Sequence, residues 1–531
     1  MAAVGSMAID FTPPPVKNFA ISAFGSHDKF VLVSGVLVVL AGFAAVIGAL
    51  AMRRLSYGFA GLGIFAVIGL IAALTRPDAE VVDALPTLIG AAAGGFALMR
   101  IVRATTVAPG PRSVAVLGGH SRPGDQETPE NQGRAADRAA DQEHPEDQAD
   151  GGAAGPWGLD TAYGPRRRPG VLPTGGQPTR RSFLVTNSVA VAAGGVSLLA
   201  ARYLTERSTA TINRSAVRLP AAVNSAPPLP ASADLDISGL SPFITPNGAF
   251  YRVDTALIIP EVSTANWHLR IHGMVEREIN ISFAELLRRP LIEDYVTLTC
   301  VSNPVGGPYI GNARWLGASL ASLLRSAGIR AGADQLLCTS TDGFTSGTPT
   351  EVILDGRDAL LAVAMNGAPL PFAHGFPVRM VTPGLYGYVS ATKWLTDIKV
   401  TTFGAETAYW AQRGWSQRAP IKTESRIDVP GESGTLKAGR TQVAGVAWTQ
   451  HKGIDAVHVR VDRGPWQQAR LASVPGIDTW RQWAWEWDAP PGQHTIEARA
   501  TDATGYTQTA VQAPPEPNGA TGYPLVSVTV K

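Results

Sequence analysis

The segment Met365–Trp394 reads MNGAPLPFAHGFPVRMVTPGLYGYVSATKW. Four glycines and four prolines in this run give a backbone that turns often and leaves N–H groups open. Among them stand one histidine, His374, one arginine, Arg379, and one lysine, Lys393. Cationic side chains beside exposed backbone N–H groups form an anion pocket, because both kinds of group present positive charge at short range. A phosphate-bearing cofactor would suit such a pocket.

Upstream, Tyr295–Cys300 (YVTLTC) is a β-rich run that ends in a cysteine and enters the glycine-containing loop VSNPVGG. A thiol at a strand end facing a loop suits a nucleophile or a soft-metal ligand, although an inert buried thiol is the commoner fate of a lone cysteine. Cys338 sits in the middle of Gln335–Thr339 and reads as an inert core residue. Two cysteines in 531 residues rule out a disulfide framework and a cysteine-rich zinc or iron–sulfur site. No Cys-x-x-Cys-His sequence is present, which excludes covalent c-type haem. Around these runs, Ala256–Pro260 and Trp267–His272 alternate as strands do. Ser282–Arg288 predicts a short helix with a capping box, and Leu316–Ala327 has helical spacing. Strands mixed with short helices predict an α+β domain. From Gly439 onward, Thr441–Trp448, Ala456–Val461, Arg481–Trp487, His494–Ala500 and Leu525–Val530 alternate with period two. Such a series of short strands predicts an immunoglobulin-like sandwich. Trp483, Trp485 and Trp487 fall on one strand face, which is expected to be core or subunit contact rather than substrate binding.

Charged residues make up only 17% of the chain, below the roughly 25% usual in soluble domains. The deficit is local. Phe30–Met52 and Tyr57–Leu74 are uncharged, Ala84–Met99 is apolar and glycine-rich, and Phe183–Leu204 is a fourth apolar run. Each is close to the ~20 residues that cross a bilayer as a helix. Arg53 and Arg54 place the first loop in the cytoplasm, and Arg166–Arg168 with Arg180 and Arg181 hold the start of the fourth helix there. Everything after Leu204 is then outside. Between the third and fourth helices, Ser121–Asp150 carries nine acidic and three basic residues and almost no large apolar one. Such a segment is expected to stay disordered as a tether. A net charge of +2 gives no support for nucleic acid as a partner.

Taken together, several of these pieces resemble the sulfite oxidase family of molybdopterin enzymes, in a membrane-anchored, actinobacterial-type form. They are TLTCVSN at Thr297–Asn303, GNARW at Gly311–Trp315, Asp342-Gly-Phe344 with Pro349 and Asp355, and the whole of Met365–Trp394, in the family's order. The resemblance covers roughly residues 240–530 and implies a Mo-molybdopterin cofactor. It implies that Cys300 is the thiolate on the metal and that Asn303, His374, Arg379, Ser390 and Lys393 bind the cofactor. Phe250-Tyr-Arg252 matches the family's Phe-x-Arg, which would put Arg252 on the substrate side, with an ion pair to Asp254 as its structural alternative. Trp415 falls where sulfite oxidases have a tyrosine near the metal, judged by spacing from Trp410.

Two departures bear on substrate. The family's Asn-Arg-Arg after the cysteine is here Asn303-Pro304-Val305, and a tryptophan replaces the tyrosine, so both changes weaken the case for sulfite. The apolar helices contain no histidine to ligate b-type haem, and no nicotinamide fingerprint occurs. Electrons are therefore expected to pass to or from a separate partner, a cytochrome or the quinone pool. Thr179–Leu184 (TRRSFL) resembles the twin-arginine export motif, which fits a domain that must fold around a cytoplasmically made cofactor before export. The expected organisation is a three-helix transmembrane region over residues 1–104 and an acidic cytoplasmic linker over 105–179. A twin-arginine signal-anchor over 180–204 would follow, then a molybdopterin-binding catalytic domain over 205–420 and an immunoglobulin-like, dimerisation-type domain over 421–531. The expected activity is two-electron oxygen-atom transfer on a small molecule by a multi-pass cell-membrane protein with its catalytic domain outside. A quinol-fed sulfoxide-type reductase and a non-catalytic scaffold are the alternatives.

Overall fold

Uncharged apolar runs give the first three helices, α1 Asp28–Arg53, α2 Leu55–Leu74 and α3 Leu85–Thr106. The computed structural model describes residues 28–74, 84–106 and 214–531, apart from Leu257. The acidic linker, the Arg180-Arg181 pair and the fourth apolar run lie outside the described residues. By its internal contacts the chain divides into two units, Met1–Val102 with Gly194–Lys531, and Arg103–Ala193. Only the end of α3 is described in the second. Among the described residues one helix segment, Leu55–Ala72 of α2, has the length and apolarity to cross a membrane. In α1 the corresponding apolar stretch is the shorter Leu37–Arg53. Large apolar side chains such as Val38, Phe43, Ile64, Val67 and Phe96 are exposed on these helices. The helices meet at small residues: a Cβ on Gly58 would lie 2.5 Å from the Ala51 Cβ and 2.8 Å from the Leu98 side chain.

The next region opens with β1 His268–Gly273, β2 Ile279–Ser282, α4 Phe283–Leu287 and β3 Leu291–Thr299. It continues with β4 Ile310–Ser319, α5 Leu320–Ala327, β5 Gln335–Ser340, β6 Thr345–Pro349 and α6 Thr350–Leu354. Strand β7 Leu360–Met365, β8 Ala368–Pro369, β9 Arg379–Val381, α7 Gly387–Ser390 and β10 Leu395–Thr401 complete it. One sheet has the order β2-β1-β10-β5-β6 and the other β3-β4-β7-β8, with β9 paired to β7. β1 and β10 run parallel, while the other pairs of both sheets are antiparallel. Leu269 and Ile271 of β1, Leu323 and Leu324 of α5, Leu361 and Val363 of β7, and Ile398 of β10 share one core. Strand alternation on β1 and β10 and the amphipathic face of α5 are what bring these side chains together. A second cluster, with Phe250, Val296, Leu298, Trp315 and Phe376, backs β3 and β4.

The C-terminal region is sheet-rich: β11 Glu424–Val429, β12 Gly434–Leu436, β13 Gly439–Trp448, β14 Ile454–Val461 and β15 Gln467–Gln468, then β16 Arg470–Leu471, β17 Arg481–Ala489, β18 Gly492–Asp502 and β19 Leu525–Val530. They form two sheets, β11-β13-β17-β16 and β12-β19-β18-β14-β15. Val443, Val457, Val459, Trp483, Ile496 and Val528 from both sheets bury into one core, which makes the region two-layered. Trp483 and Trp487 are buried there and Trp485 packs against them, so this face is core. A third cluster joins Val301, Leu385 and Tyr386 to Trp448 and Trp480, locking this region against the site loops.

Two local expectations fail. The described residues of Ala256–Pro260 form no strand; Ile258 is exposed, and the segment carries a proline without an N–H. The helix expected from Leu316 starts at Leu320. Residues through Ser319 stay in β4, paired to β3 and β7, and the Ser319 hydroxyl caps α5 by accepting from Ser322 N. The capping box at Ser282 and Glu285 forms as expected.

Candidate active site

A partly open cleft lies where the chain leaves β3 and β5 and enters β10. Cys300 reaches it because β3 ends at Thr299 and the chain then turns sharply. Asn303 N donates to Cys300 O at 3.1 Å, and the Asn303 Oδ1 closes the loop by accepting from Tyr309 N at 2.8 Å. Cys300 lines the cleft and is half-buried. Burial raises its thiol pKa, opposed by hydrogen bonds at Ser302 and by the Lys393 charge. Asn303 is buried, and its Nδ2 has no hydrogen-bond partner.

The run Met365–Trp394 supplies the cations. Arg379 begins β9 and is 5% exposed. Its Nη1 and Nη2 donate to the carbonyls of His374 and Ala391, both at 3.2 Å, and its guanidinium stands 5.1 Å from the Trp315 ring centre. No carboxylate pairs with it among the described residues, and burial pushes its pKa down to about 10. His374 bonds through Nε2 to Asn247 O at 3.0 Å. Burial, then the Arg379 charge, pushes His374 down to about 4, so the imidazole is neutral at neutral pH and presents Nδ1 as an acceptor if Nε2 is the donor. Lys393 Nζ donates to Asp254 Oδ2 at 2.7 Å, yet burial outweighs that carboxylate and lowers the lysine to about 8. Gly375 makes this convergence possible. It has φ +105°, and a Cβ there would lie 3.0 Å from the Arg379 Cβ and 3.1 Å from Lys393.

Three other residues stand outside the lining, Arg252 in the ion pair that is its structural alternative. Arg252 pairs with Asp254 at 2.7 Å beside Lys393, is not part of the cleft lining, and acts on His374 and Lys393 through its charge. The Ser390 hydroxyl is turned inward, donating to the carbonyls of Leu385 and Tyr386 at 2.9 and 3.0 Å, so it braces α7 instead of facing the cleft. Trp415 stands behind the wall. Its ring packs on Tyr388 and Trp410 at 6.0 and 6.3 Å, and those two residues line the cleft in its stead. Spacing along a loop located the tryptophan-rich turn but could not say which ring faces in. Cys300, His374, Arg379 and Lys393 do come together. Sequence reasoning missed Tyr251, Phe344, Tyr388 and Trp410 as cleft residues, although Phe344 lies in the recognised Asp342-Gly-Phe344 and Trp410 served as a landmark.

This donor set fits a molybdopterin. A buried guanidinium without a carboxylate partner among the described residues, a buried ammonium and a neutral imidazole line the cleft and offer donors and one acceptor for a phosphate and a polar heterocycle, while Asn303 with its orphaned Nδ2 stands outside the lining. A half-buried thiol beside them offers a soft ligand for a metal.

Residues 256–410 match the family model of the oxidoreductase molybdopterin binding domain. The chain is 30% identical to the sulfite oxidase of Gallus gallus over 290 residues, covering 46% of this chain and 62% of that protein. It is 32% identical to the uncharacterized oxidoreductase YuiH of Bacillus subtilis (strain 168) over 152 residues, covering 29% of this chain and 73% of that protein. Among solved structures, the sulfane dehydrogenase SoxCD from Paracoccus pantotrophus aligns over 50% of this chain and 75% of that chain, at 24% identity and a TM-score of 0.45. The chain spans 62% and 58% of the length of the chicken and mouse sulfite oxidases. By its matched domain and these relatives, the chain belongs to the sulfite oxidase family of molybdopterin-dependent oxidoreductases.

Proposed function

We propose that this protein is a membrane-anchored, extracytoplasmic molybdenum oxidoreductase that performs two-electron oxygen-atom transfer on a small molecule. The observation that carries this reading is the convergence of the Cys300 thiol with buried, uncompensated Arg379, buried Lys393 and neutral His374 in one cleft. Cys300 is the protein ligand of molybdenum, and Arg379, Lys393, His374 and Asn303 hold the pterin and its phosphate. When bound, the cofactor supplies a metal that exchanges an oxygen atom and two electrons with substrate. The chain's own residues bind and orient it. Arg379 is aimed by three carbonyl acceptors, and Asp254 fixes the ammonium of Lys393 while holding Arg252 at the rim. Electrons pass to or from a separate carrier, a cytochrome or the quinone pool.

The exposed apolar side chains of α1–α3 and the uncharged α2 support anchoring in the cell membrane. Arg180-Arg181 before the fourth apolar run supports export of the folded, cofactor-loaded domain. The two-sheet C-terminal region serves in this reading as an immunoglobulin-like dimerisation domain. The test is elemental and pterin analysis of the purified protein with a Cys300→Ala variant. Wild type should carry molybdenum and pterin, while the variant keeps the pterin and loses activity. Wild type free of both after expression in a molybdate-fed, cofactor-competent host would refute the assignment.

A further inference from the structure

Strand β3, which delivers Cys300, lies at the edge of its sheet, in the order β3-β4-β7-β8. Its outward N–H and C=O groups need partners from beyond that sheet, because a buried backbone group left unpaired is costly. Near the start of β3, residues ahead of β1 provide them. Val223 N donates to Leu291 O at 2.8 Å, and Glu293 N donates to Asn224 O at 2.9 Å. Near its end, Thr297 and Thr299 are held by the C-terminal region instead. Thr297 N donates to Asp478 O at 2.9 Å, and Trp480 N donates to the Thr297 hydroxyl at 2.7 Å. Gln450 completes the grip. Its Nε2 donates to Thr297 O at 2.7 Å and to the Thr299 hydroxyl at 3.1 Å.

Gln450 is 3% exposed, and its Oε1 has no hydrogen-bond partner among the described residues. A buried amide with half of its capacity unmet is less stabilising than an apolar side chain of the same size. Filling space therefore does not account for it; what it provides is the pair of donated bonds to β3. The turn that carries it is fixed beforehand. Strand β13 ends at Trp448, and Lys452 N and Gly453 N both donate to Thr449 O at 3.1 Å. On the other side of Cys300 the same region holds the loop. Arg426 of β11, paired with Asp428 at 2.6 Å, donates through Nη1 to Gly307 O at 3.2 Å, and Val301 packs with Trp448 and Trp480. The half-buried thiol thus stands between two anchors that both come from outside residues 256–410.

We propose that Gln450 is a positioning residue for Cys300: from the C-terminal region it fixes the end of β3 and so sets where the thiol stands in the cleft. This rests on the reading of Cys300 as the metal's protein ligand, and it makes the C-terminal region part of the scaffold of the site. Without the Gln450 amide, the Thr297 carbonyl and the Thr299 hydroxyl lose this donor. The strand end then keeps its bonds to β4, Asp478 and Trp480 alone.

The test uses the full-length, cofactor-loaded protein and compares Gln450→Met, which keeps the size and removes the donor, with Gln508→Met. The Gln508 side chain is buried in the same region and makes three hydrogen bonds, with Ser425, Ala500 and Gly522, none of them to β3. It controls for loss of stability alone. Cys338 is the one other cysteine and is fully buried, so labelling with iodoacetamide reports on Cys300. A thiol held on the metal resists that reagent. Gln450→Met should raise the labelling rate by about tenfold or more. It should also shift the electron paramagnetic resonance signal of the metal after partial reduction with dithionite. Gln508→Met should lower the thermal midpoint and change neither readout. Thr299→Val should move both readouts in the direction of Gln450→Met, and adding it to Gln450→Met should do nothing more, because the shared bond is already gone. If Gln450→Met does not fold, Thr299→Val alone decides. Wild-type labelling and signal in Gln450→Met, or equal changes in Gln508→Met, would overturn the proposal. Wild type without molybdenum, or labelled as fast with the metal as without it, would instead count against the metal-ligand reading. Labelling of the cofactor-free chain still decides in that case: Gln450→Met must alter the rate and Gln508→Met must not.

Discussion

A guanidinium buried as deeply as that of Arg379 is costly to a fold unless an anion completes it. Three carbonyls and the Trp315 ring lessen the cost without supplying charge. Arg379→Met should therefore leave the thermal stability of cofactor-free protein unchanged or higher, while pterin retention falls at least tenfold, measured by denaturation and by pterin fluorescence after gel filtration. Loss of stability with normal retention would make Arg379 a structural residue. A second buried group, outside the cleft, gives a pH signature. Glu424 is 3% exposed with its Oε1 unpartnered, and burial pushes it up to about 8 against a weaker opposing Lys422 charge. Because the folded-state pKa is raised, folded protein keeps a proton that unfolded chain releases between about pH 4.5 and 8, so stability falls as pH rises through that window. Glu424→Gln should remove this slope, gaining on the order of a few kcal/mol over wild type at pH 8.5 and almost nothing near pH 4.5. Parallel pH profiles of thermal midpoint for the two proteins would contradict it.

At the scale of elements, the legible parts are those where local chemistry and global packing agree. The period-two strands of the C-terminal region, the Ser282–Glu285 box and the strand that delivers Cys300 all form where their sequences indicate. The cation-bearing run Met365–Trp394 is legible by its composition, although most of it is turn and loop. Where the reading failed, tertiary partners decided. Leu316–Ser319 has helical spacing but is captured by β3 and β7, and the described residues of Ala256–Pro260 alternate but join no sheet. Position along the chain points to Arg252, Ser390 and Trp415, while the direction of a side chain depends on packing that position does not encode. Gly375 is the element-scale test. Its left-handed conformation and the close Arg379 and Lys393 leave no room for a methyl group. Gly375→Ala should cost about 1–3 kcal/mol through backbone strain and should lower molybdenum content more than a surface Gly505→Ala change. Equal metal content in the two variants would show that the convergence tolerates displacement.

For the whole molecule, the low charge fraction resolves into apolar helices at one end and a polar, acidic middle, while residues 214–531 carry the cleft and its two-layered sheet partner. If the catalytic region is exported after cofactor insertion, Arg180→Lys with Arg181→Lys should strand it in the cytoplasm, read by protease accessibility in spheroplasts. Unchanged accessibility would remove the twin-arginine role. The most direct measurement for the central claim is the molybdenum and pterin content of the purified full-length protein from a molybdate-fed, cofactor-competent host. The account expects the two in equimolar amounts with the chain, with molybdenum lost from Cys300→Ala. Folded protein carrying neither would contradict it.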